Sequence, residues 1–192
     1  MGSHFKEVFG SVLSTIGTIE SAIGSTPFKN LSKTLSFNLR LQGNVLQATG
    51  NGLSADGQGN ILSLEYIGDV IQAVGNSTVI EGLLIKFKDQ IDEKLIITGN
   101  WLQALGSFVG LTDEFEDNTP SGRSYNIIGG FLQGIGNSLQ ALGGTYQLSN
   151  ENDSEAQFLG VLGSWIQAVG SVLSLIGQIK EETQEIQLGI DE

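Results

Sequence analysis

The side chains best suited to catalysis or metal binding are few in this chain of 192 residues. His4 is the only histidine, and the sequence places no second catalytic or ligating group beside it. Asp113, Glu114, Glu116 and Asp117 offer the oxygen ligands that calcium prefers, but they lack the ordered spacing of an EF-hand loop. We interpret His4 and the acidic cluster as solvated residues. The sequence therefore predicts no catalytic residue, no metal site, no cofactor and no enzymatic activity.

Glycine is the residue with the clearest spacing, because it recurs every seven residues in six separate blocks. No GK[ST] motif follows these glycines, so a phosphate-binding loop is not predicted. Seven residues are close to two helical turns, and each series therefore forms a stripe along a helix. Each helical glycine costs about 1 kcal/mol relative to alanine, and close contact with another backbone is the expected compensation. The blocks begin at Gly10, Gly43, Gly68, Gly99, Gly129 and Gly163.

The residues between the glycines divide each helix into a bulky face and a small face. In the repeat that starts at Gly99, Trp101, Leu102 and Leu105 share one side, and Gln103 lies with the glycine on the other. We expect the bulky faces, including Trp101 and its counterpart Trp165, to form an internal core. The small faces are left to meet a neighbouring helix, a neighbouring molecule or water.

Six glutamines occupy one equivalent position beside the glycine stripe. Their amides both donate and accept hydrogen bonds, so they could form a ladder within or between molecules, or an exposed polar row. The residues expected to carry helix packing or assembly are Gly17, Gly50, Gly75, Gly106, Gly136, Gly143 and Gly170, together with Gln47, Gln72, Gln103, Gln133, Gln140 and Gln167.

These patterns predict an all-α protein with about six long helices, packed as antiparallel hairpins in a bundle or a solenoid-like repeat array. The whole chain, 1–192, is expected to be a single helical-repeat domain. Capping signals at Thr26-Pro27, at Thr78 with Glu81, and at Ser154 with Gln157 indicate helix starts. Residues 112–124 and 149–154 are expected to be loops. Residues 35–41 alternate like a strand, but helix is favoured there. The expected helices span 4–24, 28–55, 60–75, 78–110, 125–147 and 155–187.

Charge and composition limit the partners and the location. A net charge of -12 disfavours binding to nucleic acid and to anionic lipid headgroups. The chain has no cysteine, which excludes disulfides and leaves the redox compartment open. The N-terminal residues lack the pattern of a signal peptide, so we expect either a cytoplasmic protein or a leaderless surface or extracellular one.

Three segments without charge raise the alternative of a membrane protein. The third, 156–179, is long enough to span a bilayer, and its small residues and amides are typical of transmembrane helix contacts. However, every repeat carries a glutamine, and the flanking residues give no positive-inside signal, so the sequence favours a soluble bundle. The other two segments are 95–112 and 124–150.

The repeated units, such as GNWLQALG and GSWIQAVG, resemble an uncharacterised glycine-rich repetitive protein family of Gram-positive, spore-forming bacteria. This resemblance covers most of the chain and implies no activity. From the redundancy of the faces we predict a non-enzymatic structural protein that associates with itself into an oligomer or filament. A membrane-active or membrane-embedded protein is the alternative. A third possibility is a module whose acidic residues 113–117 bind a cation or a basic partner.

Overall fold

The computed structural model describes residues 3–116, 121–149 and 154–188, apart from the side chains of Glu116, Glu185 and Leu188, and the described part is helical without strands. Residues 35–41 are helical, as the flanking repeats predicted. The six helices are α1 (His4–Ser25), α2 (Lys33–Gly57), α3 (Leu64–Leu84), α4 (Ile91–Glu116), α5 (Arg123–Ser149) and α6 (Ser154–Leu188).

Serine caps begin two of the helices. The Ser32 hydroxyl accepts a hydrogen bond from the Leu35 backbone N–H at 3.2 Å, and this begins α2. The Ser63 hydroxyl accepts one from the Tyr66 N–H at 3.1 Å, and this begins α3. Neither cap was among the predicted starts.

Three predicted boundaries were wrong. Thr26-Pro27 does not begin a helix, because Thr26 is the C-cap of α1 and α2 begins only at Lys33. Thr78 does not begin a helix, because α3 continues through it to Leu84 and its hydroxyl donates to the Val74 carbonyl. The break comes instead at 85–90, where Asp89 and Gln90 both adopt positive φ angles, of 60° and 58°. Residues 112–116 belong to α4 and are not a loop. The remainder of the two predicted loops includes 117–120 and 150–153, which lie outside the described residues.

The helices form three antiparallel hairpins that close into a ring. α1 packs on α2, α3 on α4 and α5 on α6, and the hairpins meet through the pairs α2 with α3 and α4 with α5. The ring is closed because α1 also packs on α6. Within the described residues, no helix packs its backbone against a helix that is not its neighbour in the ring. The bundle is therefore closed, and it does not extend as an open solenoid.

Glycine contacts hold each hairpin together. In α5 and α6, a Cβ atom added at Gly136 would lie 2.6 Å from the Gly163 carbonyl oxygen and 2.6 Å from the Gln167 nitrogen. In α3 and α4, a Cβ at Gly75 would lie 2.7 Å from the Gly99 oxygen. No real Cβ atom sits so close to a backbone, so the two helices approach at a distance that only glycine permits.

The expectation that the bulky faces form an internal core was wrong. Trp101 is 44% exposed, Leu105 is 52% exposed and Trp165 is also exposed, whereas the glycines and amides face inward. Because the small faces must approach closely to pack, the bulky side chains are turned to the outside of the ring. The buried apolar side chains are few and mostly small, namely Ala22, Ala55, Val79, Leu83, Ala104, Leu111, Ala141, Ala156 and Ala168.

Candidate functional site

The interior of the ring is polar, and four of the glutamines meet at its centre. Gln167 Nε2 donates to Gln47 Oε1 at 2.9 Å and to Gln103 Oε1 at 3.4 Å. Gln140 Nε2 donates in turn to Gln167 Oε1 at 2.9 Å. These four residues, from α2, α4, α5 and α6, are called the glutamine cluster below. Each lies four residues after a stripe glycine, which is the position that points toward the ring axis.

The other two glutamines lie one heptad farther along the axis. Gln72 Oε1 accepts a hydrogen bond from Ser107 at 3.4 Å, and Gln133 Nε2 donates to Ser174 at 2.9 Å. The six glutamines are thus placed inside one chain, on two levels, and only four of them form a connected set.

Hydroxyl groups line the contact that closes the ring between α1 and α6. Thr18 Oγ1 and Ser171 Oγ are 2.5 Å apart, and Thr15 Oγ1 donates to the Ser171 carbonyl at 3.1 Å. All three residues are buried. Sequence reasoning missed these residues. It also missed four serines that occupy the same heptad position as the glutamines, namely Ser14, Ser21, Ser54 and Ser174.

An acidic cavity lies on the axis on one side of the glutamine cluster. Its volume is about 110 Å³, and residues from all six helices line it. Four carboxyl groups line it, and within the described residues no lysine or arginine does. The space is sufficient for a few water molecules, since one water occupies about 30 Å³ of liquid volume. The four acidic residues are Glu7, Glu65, Asp69 and Glu114, and none was singled out for this position from the sequence.

Hydrogen bonds between α1 and α6 continue beyond the acidic cavity to the chain's N-terminal segment. His4 Nδ1 pairs with Glu182, whose side chain is buried, so the expectation of a solvated, unpartnered histidine was wrong. Gln178 Nε2 donates to Glu182 at 2.6 Å and to Glu7 at 3.3 Å. We call this end of the ring, where α1 begins and α6 ends, the acidic end.

The opposite end of the ring carries most of the lysine and arginine residues, together with acidic residues such as Asp92 and Glu93. A small cavity of about 30 Å³ between the glutamine cluster and Arg40 is again lined by all six helices. A wider cavity of about 570 Å³ shares Arg40 and Asn100 with it and reaches Lys33. We call this end the basic end, because six of the nine basic residues of the chain lie there. They are Lys29, Lys33, Arg40, Lys86, Lys88 and Lys94.

The stripe glycines singled out from the sequence all lie at hairpin contacts within this chain. Gly17 meets Gly43, Gly50 meets Gly10, Gly75 meets Gly99, Gly106 meets Gly68, Gly136 meets Gly163, Gly143 meets Ala156, and Gly170 meets Gly129. The small faces are therefore occupied inside one molecule, and any association between molecules has to use other surfaces.

The structure also places the side chains that were considered for metal binding in the sequence analysis. In the part of the chain that the structure describes, no three His, Asp or Glu side chains are grouped to hold a metal ion. Of the acidic cluster, Asp113 accepts a hydrogen bond from the Glu65 N–H at 2.8 Å, Glu114 lines the acidic cavity, and Asp117 lies outside the described residues.

Two helices are long and apolar enough to cross a membrane, namely Ile91–Phe115 and Ser154–Gln184. Length and composition alone are weak evidence, since the core helix of a soluble protein passes the same test. Here, however, only 33% of each apolar window is buried, whereas a soluble core helix would be mostly buried. The apolar residues of these two helices therefore face the surroundings of the ring.

The fold and its interior define a class of protein: a closed ring of three antiparallel helical hairpins with an amide-rich axis and an apolar exterior. Residues 5–175 match the model of a family of unknown function, DUF6944, and the chain belongs to that family. Comparison with curated proteins and with solved structures finds no match.

Proposed function

We propose that this protein is a non-enzymatic, membrane-embedded helical bundle whose polar interior is shielded from lipid by its apolar exterior. The observation that carries the proposal is that all six helices expose large apolar side chains. One example from each helix, in order, is Phe9, Val45, Val74, Leu105, Ile135 and Val169. Because these residues surround the ring, contact with one partner on one side would leave most of them uncovered.

The distribution of polar and apolar residues supports a lipid surrounding. Monomeric soluble proteins rarely expose apolar patches above a few hundred Å², because burial of apolar surface drives their folding. In lipid the hydrophobic effect does not drive helices together, and they associate through small residues and interhelical hydrogen bonds. Gly136 against Gly163, and Gln167 against Gln47, are contacts of these two kinds.

The helix lengths agree with this proposal. The shortest helix, α3, has 21 residues and is therefore about 31 Å long, close to the roughly 30 Å thickness of a bilayer's hydrocarbon core. The glutamines that disfavoured insertion in the sequence analysis do not contact lipid in this arrangement. Gln47, Gln103 and Gln167 are all buried inside the ring.

The proposal is tested by membrane extraction of the wild-type chain and of one charged variant. Leu105 lies near the middle of α4 and is 52% exposed, so Leu105→Lys would be harmless in water. At the centre of a bilayer a lysine costs about 2.5–3.5 kcal/mol, and we expect this variant to insert poorly. The matched control is Leu62→Lys, in the α2–α3 connection, where the side chain is 80% exposed.

The expected result is that wild type and Leu62→Lys stay with the membrane after an alkaline carbonate wash and float with liposomes, while Leu105→Lys does so much less. Release of the wild-type chain by carbonate, or equal retention of the two lysine variants, would contradict membrane embedding.

We also propose, as a second candidate function, self-association through the outer face of α2. This face differs from the rest of the exterior, because Asn38, Gln42 and Thr49 are exposed on it and Gly52 has open space beside it. In lipid, exposed amides and small residues promote contact between helices. The face therefore suits a second copy of the chain.

Cysteine cross-linking tests this second candidate, and the chain has no cysteine to interfere. Thr49→Cys is expected to form a disulfide-linked dimer under mild oxidation, and Val172→Cys, exposed on α6, serves as the control. Cross-linking that is absent, or equally efficient at both positions, would refute association through α2.

A further inference from the structure

The two small cavities lie on one axis. Each is lined by residues from all six helices, which is possible only near the centre of the ring. The acidic cavity begins about one helical turn from the glutamine cluster, because Asn51, Ser107 and Ser171, each four residues after a cluster glutamine, line it. At the other side, the cluster borders the cavity that leads past Arg40 to the basic end. Polar side chains therefore line the axis on both sides of the cluster, beside Leu111 and Leu175 on one side and Val79 and Ile96 on the other, and the cluster interrupts it.

The glutamine cluster fills the axis with groups that can exchange partners. Gln47, Gln103 and Gln167 are between 3% and 5% exposed, and their amides are bonded to one another. An apolar plug would have to lose contacts to open, whereas an amide can replace a hydrogen bond to its neighbour by one to water or to a solute. The cluster is therefore suited to be a closure that opens at low cost.

Two buried amides of the bundle have a polar atom without a partner in the described part of the chain, although neither residue lines the two small cavities. Asn76 and Asn137 are 1% and 0% exposed. The Oδ1 atom of Asn76 and the Nδ2 atom of Asn137 have no hydrogen-bond partner in the described residues. Buried polar atoms of this kind are usually satisfied by ordered water.

The carboxyl groups of the acidic cavity favour one sign of solute in that part of the axis, whereas Arg40 borders the cavity on the other side of the cluster. Glu7, Glu65, Asp69 and Glu114 line the acidic cavity without a lysine or arginine among its described lining residues. Rings of carboxyl groups in a pore favour cations and exclude anions. The volumes of the two small cavities, about 110 Å³ and 30 Å³, limit the solute to a small one.

We propose that the ring axis is a path for water and small monovalent cations, and that the glutamine cluster holds it closed in this structure. This inference rests on the proposed membrane embedding. Truncating the central glutamine, in Gln167→Ala, removes three hydrogen bonds of the cluster and widens the axis. The variant should conduct cations constitutively.

The first experiment measures uptake of radioactive rubidium and chloride by liposomes that contain the purified chain. We expect Gln167→Ala to take up rubidium about tenfold faster than wild type, with chloride uptake unchanged, because the carboxyl groups exclude anions. Gln187→Ala, at an exposed position near the end of α6, is the matched control and should behave as wild type. Gln140→Ala, at the edge of the cluster, is the second variant in case Gln167→Ala misfolds.

The second experiment follows access to cysteines on the two sides of the cluster. Ser11 lines the acidic cavity and Ser25 lines the cavities of the basic end. With Gln167 intact, a membrane-impermeant cationic thiol reagent added from one side should modify only one of Ser11→Cys and Ser25→Cys. With Gln167→Ala, the same addition should modify both.

Each outcome decides the proposal. Rubidium uptake at the control rate in both cluster variants, or cysteines that remain accessible from one side only, would overturn the closed path. Chloride uptake that rises equally with rubidium would overturn its selectivity for cations. A chain that resists carbonate extraction and still shows no uptake would refute this inference while leaving membrane embedding intact.

Discussion

At the scale of the residue, glycine decides which helices touch. Gly136 and Gly163 bring two backbones together at a distance that a single added methyl group would prevent. The same residue type at Gly52 has no atom within 4 Å of its would-be Cβ. Gly136 and Gly52 therefore offer a direct comparison between a glycine that packs against another helix of the chain and one that does not.

Gly136→Ala is therefore expected to lower the free energy of unfolding, and Gly52→Ala is expected to raise it slightly. Overpacking at a close contact costs about 1–3 kcal/mol, and at Gly136 this exceeds the gain of up to about 1 kcal/mol that alanine brings to a helix. Denaturation in detergent, monitored by the circular dichroism signal of the helices, measures the free energy of unfolding of both variants. If the two variants were equally stable, close glycine contact would not be what holds α5 and α6 together.

For the amide side chains, the sequence predicted which residues are equivalent but not which hydrogen-bond partners they have. The heptad position of Gln47, Gln103 and Gln167 identified them as equivalent, and the structure places all three inside the ring. The partners of each amide could not be predicted, because they depend on the rotation of five or six helices about their axes. Glu65 lies one heptad before Gln72, and Asp69 takes the place of Asn100 in its repeat, so the heptad carried a signal for both that the sequence analysis did not use.

At the scale of the element, the sequence was sufficient for helix number and pairing but not for orientation. The glycine period predicted six helices in antiparallel hairpins, and the structure confirms them. The bulky face was assigned to the interior because water was assumed to be the solvent. With Trp101 and Leu105 outside, the same period fits a ring whose core is made of small residues. Periodicity alone cannot distinguish these two arrangements, because both put the faces on opposite sides of each helix.

The connections between helices were the least predictable elements. The break after α3 lies at Asp89 and Gln90, which take left-handed backbone angles without a glycine. Aspartate tolerates this conformation but glutamine is not a turn residue, and no glycine or proline marks the break. The capping-box spacing of Thr78 and Glu81 predicted a helix start there, and that prediction was wrong. Local signals failed here because the packing of α3 on α4 continues past Thr78.

At the scale of the whole molecule, the two ends differ in their number of lysine and arginine residues. The basic end carries six of the nine lysine and arginine residues, and three of the connections between helices lie there. Positively charged connections of membrane proteins remain on the cytoplasmic side. This signal was not visible from the sequence, because the residues that form it come from separate connections.

We therefore expect the basic end to face the cytoplasm in cells. In intact cells, an impermeant thiol reagent should modify Asn60→Cys, in the connection at the acidic end, and should spare Asn30→Cys, in a connection at the basic end. Both positions are exposed in the structure. The opposite pattern of modification would show the reverse orientation, and modification of both would argue against a bundle that spans the membrane.

The closure of the ring between α1 and α6 has a consequence for biogenesis in a bilayer. Thr15 and Thr18 of the first helix find their partner, Ser171, only when the last helix has been synthesised. Until then, Gln47 and Gln103 lack their partner in α6, Gln167, although Gln47 also donates to Ser21 within its own hairpin. Under the proposed membrane embedding, we expect the ring to close only after α6 has inserted, and a chain that stalls before α6 to leave these groups without that partner.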